Sequence, residues 1–241
     1  TAITRQIVLD TETTGMNQLG AHYEGHKIIE IGAVEVINRR LTGNNFHIYL
    51  KPDRLIDPEA FGVHGIADEF LLDKPEFGDI ADDFIEYIRG AELVIHNASF
   101  DIGFLDYEFS KLNREIPKTN TFCKVTDSLA LARKMFPGKR NSLDALCSRY
   151  DIDNSKRTLH GALLDSQILA DVYLLMTGGQ TLMSFSMEGE GQQQGDVGGI
   201  QRVVRQASKL KVVLASDEEL VNHESRLDLV QKMGGSCLWR A

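Results

Sequence analysis

The run Ile7-Val8-Leu9-Asp10-Thr11-Glu12-Thr13-Thr14-Gly15 begins apolar and ends acidic. Ile7, Val8 and Leu9, two of them β-branched, predict a buried strand. Side chains at i and i+2 of a strand share a face, so Asp10 and Glu12 project together from its end. Two carboxylates side by side raise each other's pKa unless a cation sits between them, and a divalent metal is the simplest such cation. The expectation is therefore an oxygen-rich, strongly negative site at the end of a core strand.

Downstream, residues 27–37 and 46–50 read as strands separated by the turn residues Thr42-Gly43-Asn44-Asn45, which predicts a meander from the first strand. Phe77, Ile80, Phe84, Ile85 and Ile88 fall on one side of a helix over 76–89. Leu93-Val94-Ile95-His96-Asn97 reads as another short strand, followed by helical patterns over 100–112, 128–136, 142–150 and 161–176. Strands first, then strands alternating with helices, predict an α/β fold with a mixed sheet covered by helices. The pattern breaks at Thr177-Gly178-Gly179, and residues 188–199 are Gly/Gln-rich and nearly free of apolar side chains, the composition of a flexible linker. The last segment is too short to hold a core of its own. It still carries a capping-box pattern, Ser216-Asp217-Glu218-Glu219, with Gly234-Gly235 to stop the helix that follows. Val203, Val204, Leu210, Val212, Val213, Leu214 and Trp239 give it apolar surface that it cannot bury alone, which points to a bound partner.

The 241 residues allow one well-cored domain plus an appendage. No apolar run approaches the roughly 20 residues needed to span a bilayer. Thr1-Ala2-Ile3-Thr4-Arg5 lacks the apolar core of a signal peptide. Cys123, Cys147 and Cys237 are odd in number and widely spaced, so reduced thiols in a cytoplasmic protein are expected. The net charge of −9 is uneven: 7 Lys+Arg stand against 5 Asp+Glu from Gln201 onward, and 19 against 30 before it. A front that acidic gains little from counterion release and binds nucleic acid weakly by itself.

Two further acidic positions complete the pattern. His96-Asn97-Ala98-Ser99-Phe100-Asp101 puts Asp101 at a helix start just past a strand end, where binding sites of open sheets collect; alone, it would read as a helix N-cap. His160-Gly161-Ala162-Leu163-Leu164-Asp165 puts Asp165 early in a long helix. Separated by about 500° of helical rotation, His160 and Asp165 share no helix face. His160 is thus expected on the entering loop, swung over a site that Asp165 helps to form.

Asp-x-Glu on the first strand, Asn-x-x-x-Asp after a later one and His-x-x-x-x-Asp opening the last helix resemble the DEDD exonuclease superfamily in its histidine branch, DEDDh. Asp10, Glu12, Asp101 and Asp165 match the four carboxylates and His160 the general base. The tyrosine branch would place Tyr where Gly161 stands. Over the whole length the chain is similar to the proofreading subunits of bacterial replicative polymerases, including the segment Pro58-Glu59-Ala60-Phe61-Gly62-Val63-His64-Gly65-Ile66 and the ending Cys237-Leu238-Trp239-Arg240.

The resemblance implies a ribonuclease H-like fold with a mixed five-stranded sheet, and 3′→5′ removal of nucleotides from a DNA end. Hard Mg²⁺ or Mn²⁺ ions suit carboxylate oxygens, and two of them about 4 Å apart suit in-line phosphoryl displacement. Asp10, Glu12, Asp101 and Asp165 are the expected ligands, with His160 taking the proton from the attacking water. Thr13, Thr14 and Gly15 are expected to hold the terminal nucleotide. Asn97 is expected to bond its sugar or base, and Phe100 to stack on it unless it packs in the core. Glu59 and His64 join them by resemblance. The implied organisation is an exonuclease domain over 1–179, a clamp-binding peptide and linker over 180–200, and a polymerase-binding segment over 201–241. Gln180-Thr181-Leu182-Met183-Ser184-Phe185 resembles the peptides that bacterial proteins insert into the sliding clamp, with Gln180, Met183 and Phe185 as anchors. The implied partners are a DNA 3′ end, the alpha subunit of the polymerase on the C-terminal segment, the beta sliding clamp, and a small theta subunit on the catalytic domain. Two other readings use the same residues: an RNA-trimming member of the superfamily, or an inactive scaffold bridging polymerase and clamp.

Overall fold

A computed structural model of the chain describes residues 4–178, 215–235 and 237–240. The chain divides into two compact units, Thr1–Glu190 and Gly191–Ala241. In the first, β1 (Arg5–Thr13) lies at the centre of a mixed sheet. It runs antiparallel to β2 (Ile28–Ile37) on one side and parallel to β5 (Glu92–Ile95) on the other. β6 (Lys124–Asp127) extends the parallel part, while β3 (Arg40–Leu41) and β4 (Phe46–Tyr49) share the far edge of β2. The five-stranded sheet expected from the sequence is present, and the two-residue β3 makes a sixth member.

The alternation along β1 sorts its side chains to two helical layers. Ile7 and Leu9 enter one core cluster with residues of α2 (Phe77–Ile88) and α3 (Ala98–Lys111). Val8 enters another with residues of α4 (Ser128–Met135), α5 (Leu143–Tyr150) and α6 (Ala162–Gly178). Val8's face is also that of Asp10 and Glu12, because they follow at even spacing.

Three local features depart from the sequence reading. Thr42–Asn45 does separate strands, leading from β3 to β4, but the chain first turns out of β2 at Asn38-Arg39: Ile37 pairs with Arg40, and both loop residues have positive φ, 49° and 67°. Such two-residue loops twist with their strands, and asparagine tolerates that conformation at its first position. The helix α1 (Pro58–His64) was not anticipated, although Pro at its first turn and left-handed Gly65 after it carry the usual boundary asymmetry. β6 was also missed, since Lys124-Val125-Thr126-Asp127 has too little apolar character to stand out.

One contact fixes where the last helix of this unit begins. Asp10 pairs with Gly32 across the β1–β2 ladder. A Cβ on Gly32 would overlap the backbone of Ala162 and Leu163, and Ser166 Oγ donates to the Gly32 carbonyl at 2.7 Å. The start of α6 therefore rests on the strand beside Asp10, and glycine is what permits it.

In the second unit, α7 (Asp217–Gly234) opens on the expected capping box of Ser216 and Glu219 and closes on Gly235 at φ 73°. Arg240 pairs with Glu224 and Asp228 on that helix. The clamp-like peptide Gln180–Phe185, the Gly/Gln-rich stretch and the apolar residues from Val203 to Leu214 lie outside the described residues. Among the described residues no helix is long and apolar enough to cross a membrane. Cys123, Cys147 and Cys237 are free and buried.

Candidate active site

Asp10 and Glu12 end β1 at the same edge of the sheet where β5 stops and α3 begins. Asp101, in the first turn of α3, approaches from the other face of the sheet. It is held by Thr11, whose hydroxyl donates to Asp101 Oδ1 at 2.7 Å. Thr11 points away from Asp10 and Glu12, as strand alternation requires, and so ties the second helical layer to the same strand end. Asp165 arrives in the first turn of α6, which Gly32 seats next to Asp10.

The electrostatics are those of confined like charges. Burial first, then repulsion from Asp101, Glu12 and Asp165, pushes Asp10 well above the carboxylate range. Burial pushes Glu12 up to about 8, with Glu30, its partner across the ladder, adding repulsion. Burial pushes Asp101 up to about 7, against the Thr11 hydrogen bond. Glu30 is paired through Oε1 with His47 Nε2 at 2.8 Å.

His160 lies on the loop before α6, as expected, with its backbone N–H donating to the Val63 carbonyl at 3.1 Å. Its ring is half exposed, with Nδ1 3.6 Å from Asp165 Oδ2. Burial and the nearby Arg157 lower its pKa, which favours the neutral imidazole. Ligand atoms of Glu12, His160 and Asp165 all lie within 4.8 Å of one another, close enough to share one ion. The residues fit hard divalent cations: most of their ligand atoms are carboxylate oxygens, and the raised pKa values of Asp10, Glu12 and Asp101 mark a shortage of positive charge that such ions would supply.

Arg157 went unnoticed in the sequence. Its guanidinium makes a two-pronged contact with Asp165, Nε to Oδ1 at 2.6 Å and Nη2 to Oδ2 at 2.7 Å. It also reaches Asp144 Oδ1 at 2.8 Å and His160 Nδ1 at 3.2 Å. The R-x-x-H spacing ahead of Asp165 was its only signal.

Two cavities flank the carboxylates. One, of about 320 Å³, is lined by Glu12, Thr13, Gly15, Met16, Glu59, Ala60, Val63, His64 and Phe100 among others. Its mixture of apolar wall and a few polar groups suits a base and sugar. Gly15 has φ 142°, and a Cβ there would overlap the Asp57 carboxylate, so the chain at this wall requires glycine. Phe100 is half-buried, stacks on His22 with centroids 5.1 Å apart, and lines the cavity. The other cavity, of about 560 Å³, is lined by Asp10, His160, Asp144 and the cations Arg133, Lys139 and Arg157.

Three of the residues expected to hold the nucleotide also have partners within the protein, and His64 lines the first cavity beside Thr13 and Gly15. Thr14 is fully buried, and its hydroxyl meets His26 Nδ1 and the Lys27 N–H, so its side chain braces the loop. Asn97 lines neither cavity; it takes the left-handed conformation before α3, φ 73°, with its N–H donating to Asp127. His64 accepts the Ile66 N–H at Nδ1, so Nε2 carries the proton and donates to the Thr13 carbonyl. Both its ring nitrogens are used, leaving only the ring surface for a ligand.

Residues 7–173 match the exonuclease family of RNase T type. The DNA polymerase III subunit epsilon of Salmonella typhimurium is 85% identical over 241 residues, covering 100% of this chain and 99% of the relative. The chain belongs to the DNA polymerase III epsilon family. The Escherichia coli epsilon subunit is 83% identical over the same coverage, and that of Haemophilus influenzae 61% over 98% of this chain and 94% of its own. Among solved structures, exonuclease X bound to 5′ overhanging duplex DNA is 28% identical with a TM-score of 0.55, over 73% of this chain and 93% of its own. The nuclease domain of 3′hExo, a DEDDh member bound to rAMP, aligns with a TM-score of 0.58 over 72% of this chain and 92% of its own. At 17% identity that likeness concerns the ribonuclease H-like exonuclease fold alone.

Proposed function

We infer that Asp10, Glu12, Asp101, Asp165 and His160 form the hydrolytic centre of this epsilon-family exonuclease. The chain is a proofreading 3′→5′ exonuclease of DNA polymerase III by its family, and the residues assigned here say how it works. The observation that carries the assignment is the meeting of carboxylates from β1, α3 and α6 at one sheet edge, with a neutral-leaning imidazole beside them. Asp10, Glu12, Asp101 and Asp165 would hold two Mg²⁺ or Mn²⁺ ions, which supply positive charge and Lewis-acid polarisation to the scissile phosphodiester when bound. The cavity walled by Thr13, Gly15, Glu59 and Phe100 seats the 3′-terminal nucleotide, with His64 holding the Thr13 carbonyl in place. His160 accepts the proton of the attacking water, so each turn releases a nucleoside 5′-monophosphate without a covalent enzyme intermediate.

The same reading extends to the partners. An acidic catalytic unit that binds DNA weakly works well when tethered, because a linker makes the encounter intramolecular. The C-terminal segment after Gly199 engages the polymerase alpha subunit, Gln180–Phe185 engages the beta clamp, and the catalytic domain carries theta. Such an assembly is cytoplasmic in a bacterium.

The test is purified full-length protein with Asp10→Ala against wild type, on matched DNA and RNA oligonucleotides with a 3′ label. Loss of DNA trimming in the variant supports the assignment. Wild-type protein that trims neither strand returns the chain to a scaffold, unchanged trimming in the variant overturns the assignment of Asp10, and preference of the wild type for RNA returns it to the RNA-trimming reading.

A further inference from the structure

Arg157 is 6% exposed at its side chain and Asp165 5%, whereas Asp144 is 59% exposed. A buried guanidinium forked onto a buried carboxylate is the strongest neutralising contact in the cluster. That fork covers both Asp165 oxygens, the atoms a divalent ion would use. The same Nη2 donates to His160 Nδ1, which therefore carries the lone pair and leaves the neutral ring protonated at Nε2. In this arrangement neither ring nitrogen of His160 is free to take a proton from water. Asp144, in the first turn of α5, holds the third nitrogen from the solvent side.

We propose that Arg157 is a built-in competitor of the divalent ion: it pairs with Asp165 and His160 before metal loading and swings onto Asp144 when the metal takes its place. Metal binding and the Arg157–Asp165 fork are then alternatives at one carboxylate. A cation loaded at Asp165 releases the His160 lone pair in the same step, so the base is armed only in a loaded site. Asp144 is the resting place that makes the exchange cheap, since the guanidinium leaves one carboxylate without losing the other. This rests on the metal-centre assignment made above, and it predicts opposite effects from the two ends of the exchange. Removing the arginine favours the ion; removing its alternative partner favours the fork.

The experiment is titration of the full chain with Mn²⁺ alone, without DNA, reading free Mn²⁺ by electron paramagnetic resonance. Arg157→Gln is expected to lower the half-saturating Mn²⁺ concentration by about tenfold, the size of a moderate coupling between two ligands of one group. Asp144→Asn is expected to raise it, and Arg157→Lys, which keeps the charge but not the fork, to fall between wild type and Arg157→Gln. A loss of folding would weaken binding in every variant, so a gain in Arg157→Gln cannot come from damage. An unchanged or raised half-saturation in Arg157→Gln overturns the proposal, as does a shift of Asp144→Asn in the same direction as Arg157→Gln. Wild-type protein whose Mn²⁺ binding is absent, or indifferent to Asp165→Asn, would instead sink the metal-centre assignment itself.

Discussion

Glu12 at about 8 and Asp101 at about 7 stand far above the 4.5 and 3.8 of free carboxyls, and Asp10 is raised as well. Between the unfolded and folded values the native protein binds more protons than the unfolded chain. Stability from these groups is therefore fully present below the unfolded pKa and is lost as pH rises through the folded one. In chelator, the melting temperature should fall as pH rises from about 5 to about 8, a loss on the order of several kcal/mol at most. Saturating Mg²⁺ or Mn²⁺ should remove most of that fall by supplying the missing charge. Differential scanning calorimetry across that interval checks it, and a melting temperature that rises with pH in chelator would contradict the assigned repulsion. His160→Ala is expected to cut turnover on single-stranded DNA by about 10²–10⁴-fold, the usual worth of a general base. Mn²⁺ affinity should change much less than turnover; equal losses in both would make His160 a ligand. The acidic quartet and His160 could be proposed from the sequence because Asp10 and Glu12 alternate along the last part of β1 while Asp101, His160 and Asp165 sit where helices begin, in spacings that chemistry explains. Thr11 and Arg157 were not, because a hydroxyl on the far face of a strand and an arginine in a loop acquire meaning only from the partners that folding brings to them.

β1, β2, α2 and α6 followed from the sequence, since each buries a run or a face of apolar side chains. Elements that depend on backbone conformation were harder to read. The Asn38-Arg39 hairpin lacks the glycine that usually announces such turns, and α1 is a short helix whose only fully buried side chain is His64. The Gly32 contact belongs with them, because nothing in a strand sequence says that a helix backbone will lie against it. Gly32→Ala must push α6 away from β2, as the added methyl meets backbone and not a flexible side chain. The Ser166–Gly32 hydrogen bond would go with it, and Asp165 would withdraw from Asp10. The expected result is a destabilisation of about 1–3 kcal/mol, typical of overpacking, with a larger proportional loss in metal-dependent hydrolysis. Thermal unfolding and kcat on the same preparation measure both. Full activity with unchanged stability would show that α6 is not seated by this glycine.

The residues assigned to the chemistry and a set of exposed apolar side chains lie in different units. Before Gln201 the charge balance is 19 Lys+Arg to 30 Asp+Glu, a composition that repels a polyanion. In the second unit Leu220, Val221, Leu229, Val230, Met233 and Trp239 are all exposed, far more apolar surface than a short helix presents for solubility. If the tail's role is delivery, then removing it should cost encounter and not chemistry. A chain ending at Gly199 should keep kcat on short single strands within about twofold of the full chain, because every assigned group precedes Gly178. It should fail to co-purify with the polymerase subunit proposed as its partner. On a mismatched primer end with polymerase present, its rate should fall toward that of free enzyme, because the effective concentration in the millimolar range that a short linker provides is gone. Raising salt should weaken whatever untethered binding remains only slightly, since few phosphate contacts are made. Polymerase retained by the truncated chain would place the docking surface on the catalytic unit. A collapse of kcat on short single strands would mean that the tail shapes the site and does not merely deliver it.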